Sequence, residues 1–313
     1  MSSLGIMIEG QEDLTWDRLF RLAQAVEDLG FESLFRSDHL TSLDGYAQRA
    51  SLALWPSLAA LALRTRRIRF GPLVCSMTFQ APAVLAKMAA AVDQLSGGRF
   101  DLGIGAGWYA GEHRMFGIPY PPYATRLEML DEGAQVIQAL WTGRPMSIQG
   151  KHYSLASAEN HPVPSQQPVP LIMGGKGEKT LRLVAKYATE WNCSYSGLPV
   201  FRQKSQAIDE ACRAIGRDPA AIRRSVMVPF VIGRDPAAVQ GRIDAHRKMF
   251  PNLPGDLASW TAAGFVGGSP AQVIDQLHAW TAAGCTRFML QHNDLDDLAS
   301  LELLASEVLA HVQ

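Results

Sequence analysis

The chain has 313 residues, of which 47% are hydrophobic and 19% charged, a composition that excludes extended disorder and is ample for a large buried core. With 29 basic and 30 acidic residues the formal charge is −1, and the scattered Lys and Arg form no stripe for nucleic acid or anionic lipid. The expected partner is a small-molecule substrate, with no nucleic acid and no membrane.

The N-terminal stretch "MSSLGIMIEGQEDL" lacks a basic region followed by a long apolar run, so it does not read as a signal peptide. Apolar runs such as "LAALAL" are too short to cross a bilayer, and the expected location is the cytoplasm. The first β-rich run, "LGIMIE", is followed by a helix from about Thr15 to Leu29, with Leu19, Leu22, Val26 and Leu29 on one face and Gly30 as its stop. "SLFRS" leads into "ASLALWPSLAALAL", and "RIRFGPLVCS" into a helix opened by Pro82 and closed by Gly97. "RFDLGIG" precedes a long helix from Thr125 to Trp141.

Residues 144 to 169 break the alternation, with "PMSIQGKHYSL" reading as a hairpin and "HPVPSQQPVP" as a proline-rich connector. "PLIMG", a helix from Glu178 to about Ala188, "EWNCSYS", a helix around "KSQAIDEACRAIG", "RSVMVPFVIG", a helical region from Pro236 and "TRFMLQH" then resume it. Eight βα units of this size favour an α/β fold of the (β/α)8 TIM-barrel type with an insertion after the fourth unit. The whole of 1–313 reads as one domain, with the insertion or linker at about 144–169. "WTAAG" occurs twice, at 260–264 and 280–284, but the flanks differ, so both read as helix ends with glycine stops. Cys75, Cys193, Cys212 and Cys285 show no CxxC spacing and read as free thiols, with no metal site.

Two glycine-rich stretches resemble nucleotide loops and fail the tests for them. "RFDLGIGAGWYAGEH" spells GxGxG at Gly103, Gly105 and Gly107, but Trp108 stands at the sixth position and the unit is the fourth, so the dinucleotide fingerprint is excluded. Alternate glycines leave one face of a strand bare, against which a flat ring can lie. "IMGGKGEKT" lacks the Walker spacing, yet Gly174, Gly175 and Gly177 ahead of a helix N-terminus, with Lys176 and Thr180, make a phosphate cradle. In "RSDHL", Asp38 and His39 fall at the end of the second strand, where barrel chemistry is built; His39 is suited to proton transfer and Asp38 to orienting a neighbour. Glu9, ending the first strand, is a further carboxylate candidate, and Cys75 suits packing beside a ring better than covalent catalysis. Met249, Phe250, Trp260 and His292 fall in loops expected at the mouth.

Taken together, "SDHL", "GPLVCSMTFQAPAVLAKMAAAVDQLSGGRFDLGIGAGW", "EHRMFGIPYPP", "RLEMLDEGAQVIQALWTG", "PLIMGGKGEKTLRLVAKYATEWN" and "GGSPAQVIDQL" resemble the luciferase-like monooxygenase superfamily, and most closely its coenzyme F420-dependent oxidoreductase branch. The resemblance implies a barrel holding F420 or FMN at the strands' C-terminal ends, and a homodimer. It puts Asp38 and His39 near the reactive ring, with His39 as the catalytic group. It sets a non-prolyl cis peptide at Pro72–Leu73, with Leu73 and Cys75 against the ring. It runs Gly105, Ala106, Gly107 and Trp108 along the cofactor's edge and gives the phosphate to Gly174, Gly175, Lys176, Gly177 and Thr180. Ala106 stands where bacterial luciferases carry an arginine on the FMN phosphate, which turns the reading toward F420. Trp108 and Gly111 replace the glutamate and asparagine of the branch's sugar-phosphate dehydrogenases.

The expected function is hydride transfer between F420 and a small organic substrate. The alternatives are an FMN-dependent monooxygenase served by a partner reductase, a flavin-binding barrel without catalysis, and a cofactor-free phosphate-handling barrel.

Overall fold

In the computed structural model, which describes residues 2–43, 46 and 48–312, the strands in chain order are β1 (Ser3–Ile8), β2 (Ser33–Arg36), β3 (Arg69–Pro72), β4 (Cys75–Ser76), β5 (Leu102–Gly105), β6 (Met146–Gln149), β7 (Ser154–Ala158), β8 (Leu171–Gly174), β9 (Glu190–Ser194), β10 (Arg223–Ile232), β11 (Val266–Gly268) and β12 (Arg287–Gln291). Hydrogen bonding runs β3-β2-β1-β12-β10-β9-β8-β5-β4, each pair parallel. β3 and β4 are two halves of one stave interrupted at Leu73 and Val74, so the ring closes on eight staves. These are the eight β-rich runs of the sequence, each followed by helix, and the fold is a (β/α)8 barrel.

Local chemistry sets the element ends. The Thr15 side chain accepts a hydrogen bond from the Arg18 amide and caps the helix Trp16–Asp28, one residue inside the expected start. Gly264 and Gly284, at φ +84° and +94°, end the helices Leu257–Ala262 and Pro270–Ala282, as the two "WTAAG" segments suggested. β6 and β7 pair antiparallel between the helix Tyr123–Leu140 and β8. β11 was not expected: "FVGG" is short, and it forms a strand only because β10, ten residues long, offers Phe230–Ile232 as a template.

Period-two alternation sorts the stave residues. Outward-facing Leu4, Ile6, Leu34, Ile104, Val226 and Leu290 join the apolar layer under the helices. Inward, Met7, Phe35, Leu73, Ile172, Met227 and Met289 form a separate apolar plug, with Val74 packed on it. Along β12 the inward positions run Arg287, Met289, Gln291, and along β1 Gly5, Met7, Glu9. Below the plug Arg287 is buried, donating to Asp101 at 2.9 Å, Glu190 at 3.0 Å and Glu32 at 3.0 Å. Burial opposes its charge, but these carboxylates hold its pKa above the ordinary guanidinium value. The barrel thus has an ionic N-terminal end, an apolar waist and a polar C-terminal mouth.

Candidate active site

The C-terminal ends of five adjacent staves, β1, β2, the β3/β4 stave, β5 and β8, carry the catalytic and cofactor-binding candidates expected from the sequence. At the end of β2, His39 turns its Nδ1 toward Glu112, 3.0 Å from Oε1 and 3.2 Å from Oε2, and the Leu40 amide donates to the same carboxylate at 3.0 Å. Glu112 is buried on the short helix Ala110–Met115 that follows the glycine-rich strand. A carboxylate only accepts, so Nδ1 carries the proton, which leaves Nε2 to exchange one with a bound molecule. Burial disfavours the charged ring, but the Glu112 hydrogen bond and charge, aided by Glu9 and Asp38, outweigh it and raise the His39 pKa. The rings of Trp108 and Tyr109 stand edge-on to His39, with centroids 5.6 and 6.4 Å away.

The half-buried Asp38 carboxyl interacts with the Cys75 thiol. Burial pushes its carboxyl up to about 7, against the opposing pull of Arg36, Cys75 and His39. Burial, together with Asp38, drives the Cys75 thiol well above its ordinary value, so it is a neutral packing group and hydrogen-bond donor, not a thiolate nucleophile. Glu9 is held from two sides, accepting from Gln291 Nε2 at 2.5 Å and from Gln11 Nε2 at 2.9 Å, while Tyr195 donates its hydroxyl to Gln291.

The non-prolyl cis peptide lies at Leu73–Val74, one bond beyond the expected Pro72–Leu73. The glycines of β5 serve the residue after that bond. A Cβ on Gly103 would collide with the Pro72 carbonyl and come 2.9 Å from Val74 Cγ1, and one on Gly105 would come 2.9 Å from Val74 Cγ2. Their bare faces are therefore filled by Val74, and what lies open to a flat ring is the Val74 surface rather than the glycine backbone. Gly107, at φ +76°, approaches the hydroxyls of Ser76 and Thr78. Ala106 packs against the outer apolar layer and contributes no charge.

The turn after β8 leads to the helix Glu178–Tyr187, whose N-cap is Gly177 without a side-chain capping bond. Its first amides therefore keep their donors for an anion. Gly175 sits at φ +126°, which only glycine adopts readily, and the Trp191 indole holds its carbonyl at 2.8 Å. Thr180 is buried with its hydroxyl 3.3 Å from that of Tyr123. Lys176 turns away, donating to the Ser194 carbonyl at 3.0 Å and the Ser196 hydroxyl at 2.9 Å. An apolar floor, a polar mouth and an uncapped helix start are the donor set a flavin-like ring with a phosphate tail requires.

Two of the residues expected at the mouth lie elsewhere. Trp260 is buried among Val231, Val239 and Ile243 with its indole on the Val266 carbonyl at 2.9 Å. His292 is buried behind the stave, stacked on Phe230 at 6.0 Å, and burial lowers its pKa to about 3. Conversely, the sequence reading had no role for Glu112, Gln291 or Tyr195. Nor did it anticipate buried His113, which bonds Thr78 at 2.7 Å, with Thr78 2.6 Å from Ser76. The only local signal was the "EH" pair after the glycines; that Glu112 meets a residue 73 positions upstream is a fact of the fold.

The profile of the luciferase-like monooxygenase family matches residues 4–287. The chain belongs to this family. Among curated relatives, it is 29% identical over 214 residues to an F420-dependent glucose-6-phosphate dehydrogenase of Amycolatopsis mediterranei, covering 67% of this chain and 63% of that enzyme. It is 30% identical over 206 residues to the pyrimidine monooxygenase RutA of Pseudomonas syringae, covering 63% of this chain and 56% of that enzyme. The F420-dependent tetrahydromethanopterin reductase of Methanopyrus kandleri superposes with a TM-score of 0.81 at 21% identity, over the full length of both chains. The oxygenating constituent of the Pseudomonas putida 3,6-diketocamphane monooxygenase, in complex with FMN, does so with 0.78 at 21%, covering all of this chain and 99% of that one. The curated relatives are thus an F420-dependent dehydrogenase and a monooxygenase, and the chain spans less than two thirds of the length of each. Among the described residues no helix is long and apolar enough to cross a membrane, and no cluster of His, Cys, Asp and Glu suits a metal.

Proposed function

We propose that this luciferase-like protein is an oxidoreductase that transfers a hydride between coenzyme F420 and a small organic substrate. The observation that carries the reading is the His39–Glu112 pair. It provides a histidine whose Nδ1 is committed to Glu112, which leaves Nε2 for a bound molecule, and whose charged form is favoured, which is the proton donor needed when a carbonyl receives a hydride. Leu73 and Val74 would offer the ring its apolar face, with Gly174, Gly175, Gly177 and Thr180 on the phosphate. Bound there, a deazaflavin supplies two electrons as a hydride at C5 without activating oxygen. His39 delivers the proton to the substrate oxygen in the reducing direction and removes it in the oxidising one. Asp38, fixed by Cys75, adds a second proton-sharing group within the electrostatic field of that ring.

The cradle favours F420 over FMN by its charge. A phosphomonoester such as that of FMN carries −1.5 to −2 charges at neutral pH, whereas the phosphodiester of the deazaflavin tail carries one. Helix amides and the Thr180 hydroxyl suit the smaller charge, with Ala106 neutral and Lys176 engaged with Ser194 and Ser196. Equilibrium fluorescence titration with F420 and with FMN, each oxidised and reduced, tests the reading. The expected result is F420 affinity at least tenfold above that for FMN, lowered by Gly177→Asp, which places a carboxylate on the free amides. Saturable binding of reduced FMN without F420 affinity would establish the monooxygenase alternative instead. Full turnover after His39→Ala would remove the proton-transfer role.

A further inference from the structure

We propose that Ser76, Thr78 and His113 are positioning residues: joined in one hydrogen-bonded chain, they hold the short helix Ala110–Met115 at the angle from which Glu112 meets His39. The inference rests on the proposed function, since proton transfer at His39 is what the held carboxylate serves. Glu112 and His113 are consecutive and both buried, and an α-helix sends consecutive side chains about 100° apart. Glu112 crosses to the end of β2, where it meets His39 Nδ1 and the Leu40 amide. His113 reaches instead to the segment that begins in β4, its Nε2 2.7 Å from Thr78 Oγ1, with Thr78 2.6 Å from Ser76. The helix is thus held between the ends of two staves.

Its length makes that hold necessary. Six residues do not sustain a helix by themselves, so its orientation is set by what its side chains grip. Glu112 lies 3.0 and 3.2 Å from Nδ1, against an outer limit of about 3.2 Å for a good N–H···O bond. A slight tilt of the helix therefore breaks the contact with His39.

The chain has a fixed direction. His113 Nδ1 lies 2.8 Å from the Tyr109 carbonyl, which only accepts, so Nδ1 carries the hydrogen. In the neutral ring Nε2 accepts from the Thr78 hydroxyl, and the Thr78 oxygen accepts from Ser76. The His113 ring packs against Phe79 and Tyr120, with centroids 5.1 and 4.7 Å away. Tyr120 in turn donates its hydroxyl to the Trp108 carbonyl at 2.7 Å, and the Arg126 guanidinium lies 4.0 Å over its ring. The chain leaving β5 passes directly over the same hydroxyls, because a Cβ on Gly107 would fall 2.3 Å from Ser76 Oγ. Beyond the helix, the Ile118 amide donates to the His113 carbonyl at 2.8 Å.

The test reads the His39 ring directly, by NMR titration of the protein without cofactor. Thr78→Val keeps the shape of the side chain and removes the hydroxyl, and Thr78→Ser returns it. The expected result is that Thr78→Val lowers the ratio of charged to neutral His39 about threefold at a given pH, a weakening rather than a loss of the Glu112 bond. His113→Phe, which keeps a ring against Phe79 and Tyr120, should do the same, and Thr78→Ser should titrate as the native protein. In a Glu112→Gln background Thr78→Val should add little, because residues acting through one contact are not additive. Fluorescence titration should find F420 affinity unchanged in Thr78→Val, since the chain serves the helix rather than the cofactor. A His39 titration unmoved by both Thr78→Val and His113→Phe, a shift that Thr78→Ser does not restore, or an equal further shift in the Glu112→Gln background would each overturn the inference. The ring titration needs no cofactor, so failure of the native protein to bind F420 strikes the proposed function alone.

Discussion

Replacing Glu112 by Gln keeps the shape of the side chain and removes its charge. In the native protein the carboxylate accepts from His39 Nδ1 and from the Leu40 amide at once, and an amide oxygen can serve both donors only as a weaker, neutral acceptor. A hydrogen bond to a charged group contributes about 1.5–3 kcal/mol and a neutral one about 0.5–1.5, so the imidazolium loses about 1.4 kcal/mol of support, roughly tenfold in the ratio of charged to neutral ring. The sign follows from the reducing direction, where protonated His39 is the donor. In the native enzyme the rate falls as pH rises through the raised His39 pKa, and in Glu112→Gln that fall sets in at lower pH. At pH values above both midpoints the variant should be about tenfold slower, with the rate recovered as the pH falls below the variant's own midpoint. NMR titration of the His39 ring gives the same displacement without turnover. A loss of equal size at every pH, or an unmoved ring titration, would show that Glu112 serves only the fold and would refute the proton-donor argument.

Asp38→Asn tests the half-buried carboxyl at the end of β2. Its pKa rises from 3.8 to about 7 on folding, so the native state binds the proton more tightly than the unfolded chain. The associated stability is present below the unfolded value and lost as pH rises through 7, a difference of order 4 kcal/mol at about 1.4 kcal/mol per unit. Thermal melts should find Asp38→Asn more stable than native protein at pH 8.5 and no more stable at pH 3.5; the opposite order would contradict the burial argument. The two strand glycines should separate by severity. Gly103→Ala drives a methyl into the Pro72 carbonyl, and urea unfolding should register a loss of about 3 kcal/mol or more, whereas Gly105→Ala meets only the Val74 side chain and should lose about 1–2. Adding Val74→Ala should restore Gly105→Ala selectively, and equal rescue of both would mean that the Pro72 carbonyl is not the obstacle.

The glycine-rich strand shows where a linear reading reaches and where it stops. Hydrophobic period and glycine stops identified the eight staves and most helices, because those signals are local and repeat along the chain. Chain order alone also sent Glu9, Asp38, His39, Cys75 and the two glycine turns to one end of the barrel, since a parallel barrel presents all its strand C-termini on one face. Which atoms then touch was decided by the packing of the staves. Stave packing brings Glu112 onto His39 and Val74 onto Gly103 and Gly105, and closure brings Glu9 onto Gln291, contacts between residues that carry no common period. β11 exists because β10 overruns the barrel far enough to template it. Trp260 and His292 leave the expected mouth because their own turns aim them behind the staves, where burial of aromatic surface outweighs display at the rim. The sequence by itself determined the barrel and the end at which chemistry is placed. The tertiary structure decided which carboxylate charges the histidine and which side chain fills the glycine face, because both depend on distances set only when the staves pack side by side.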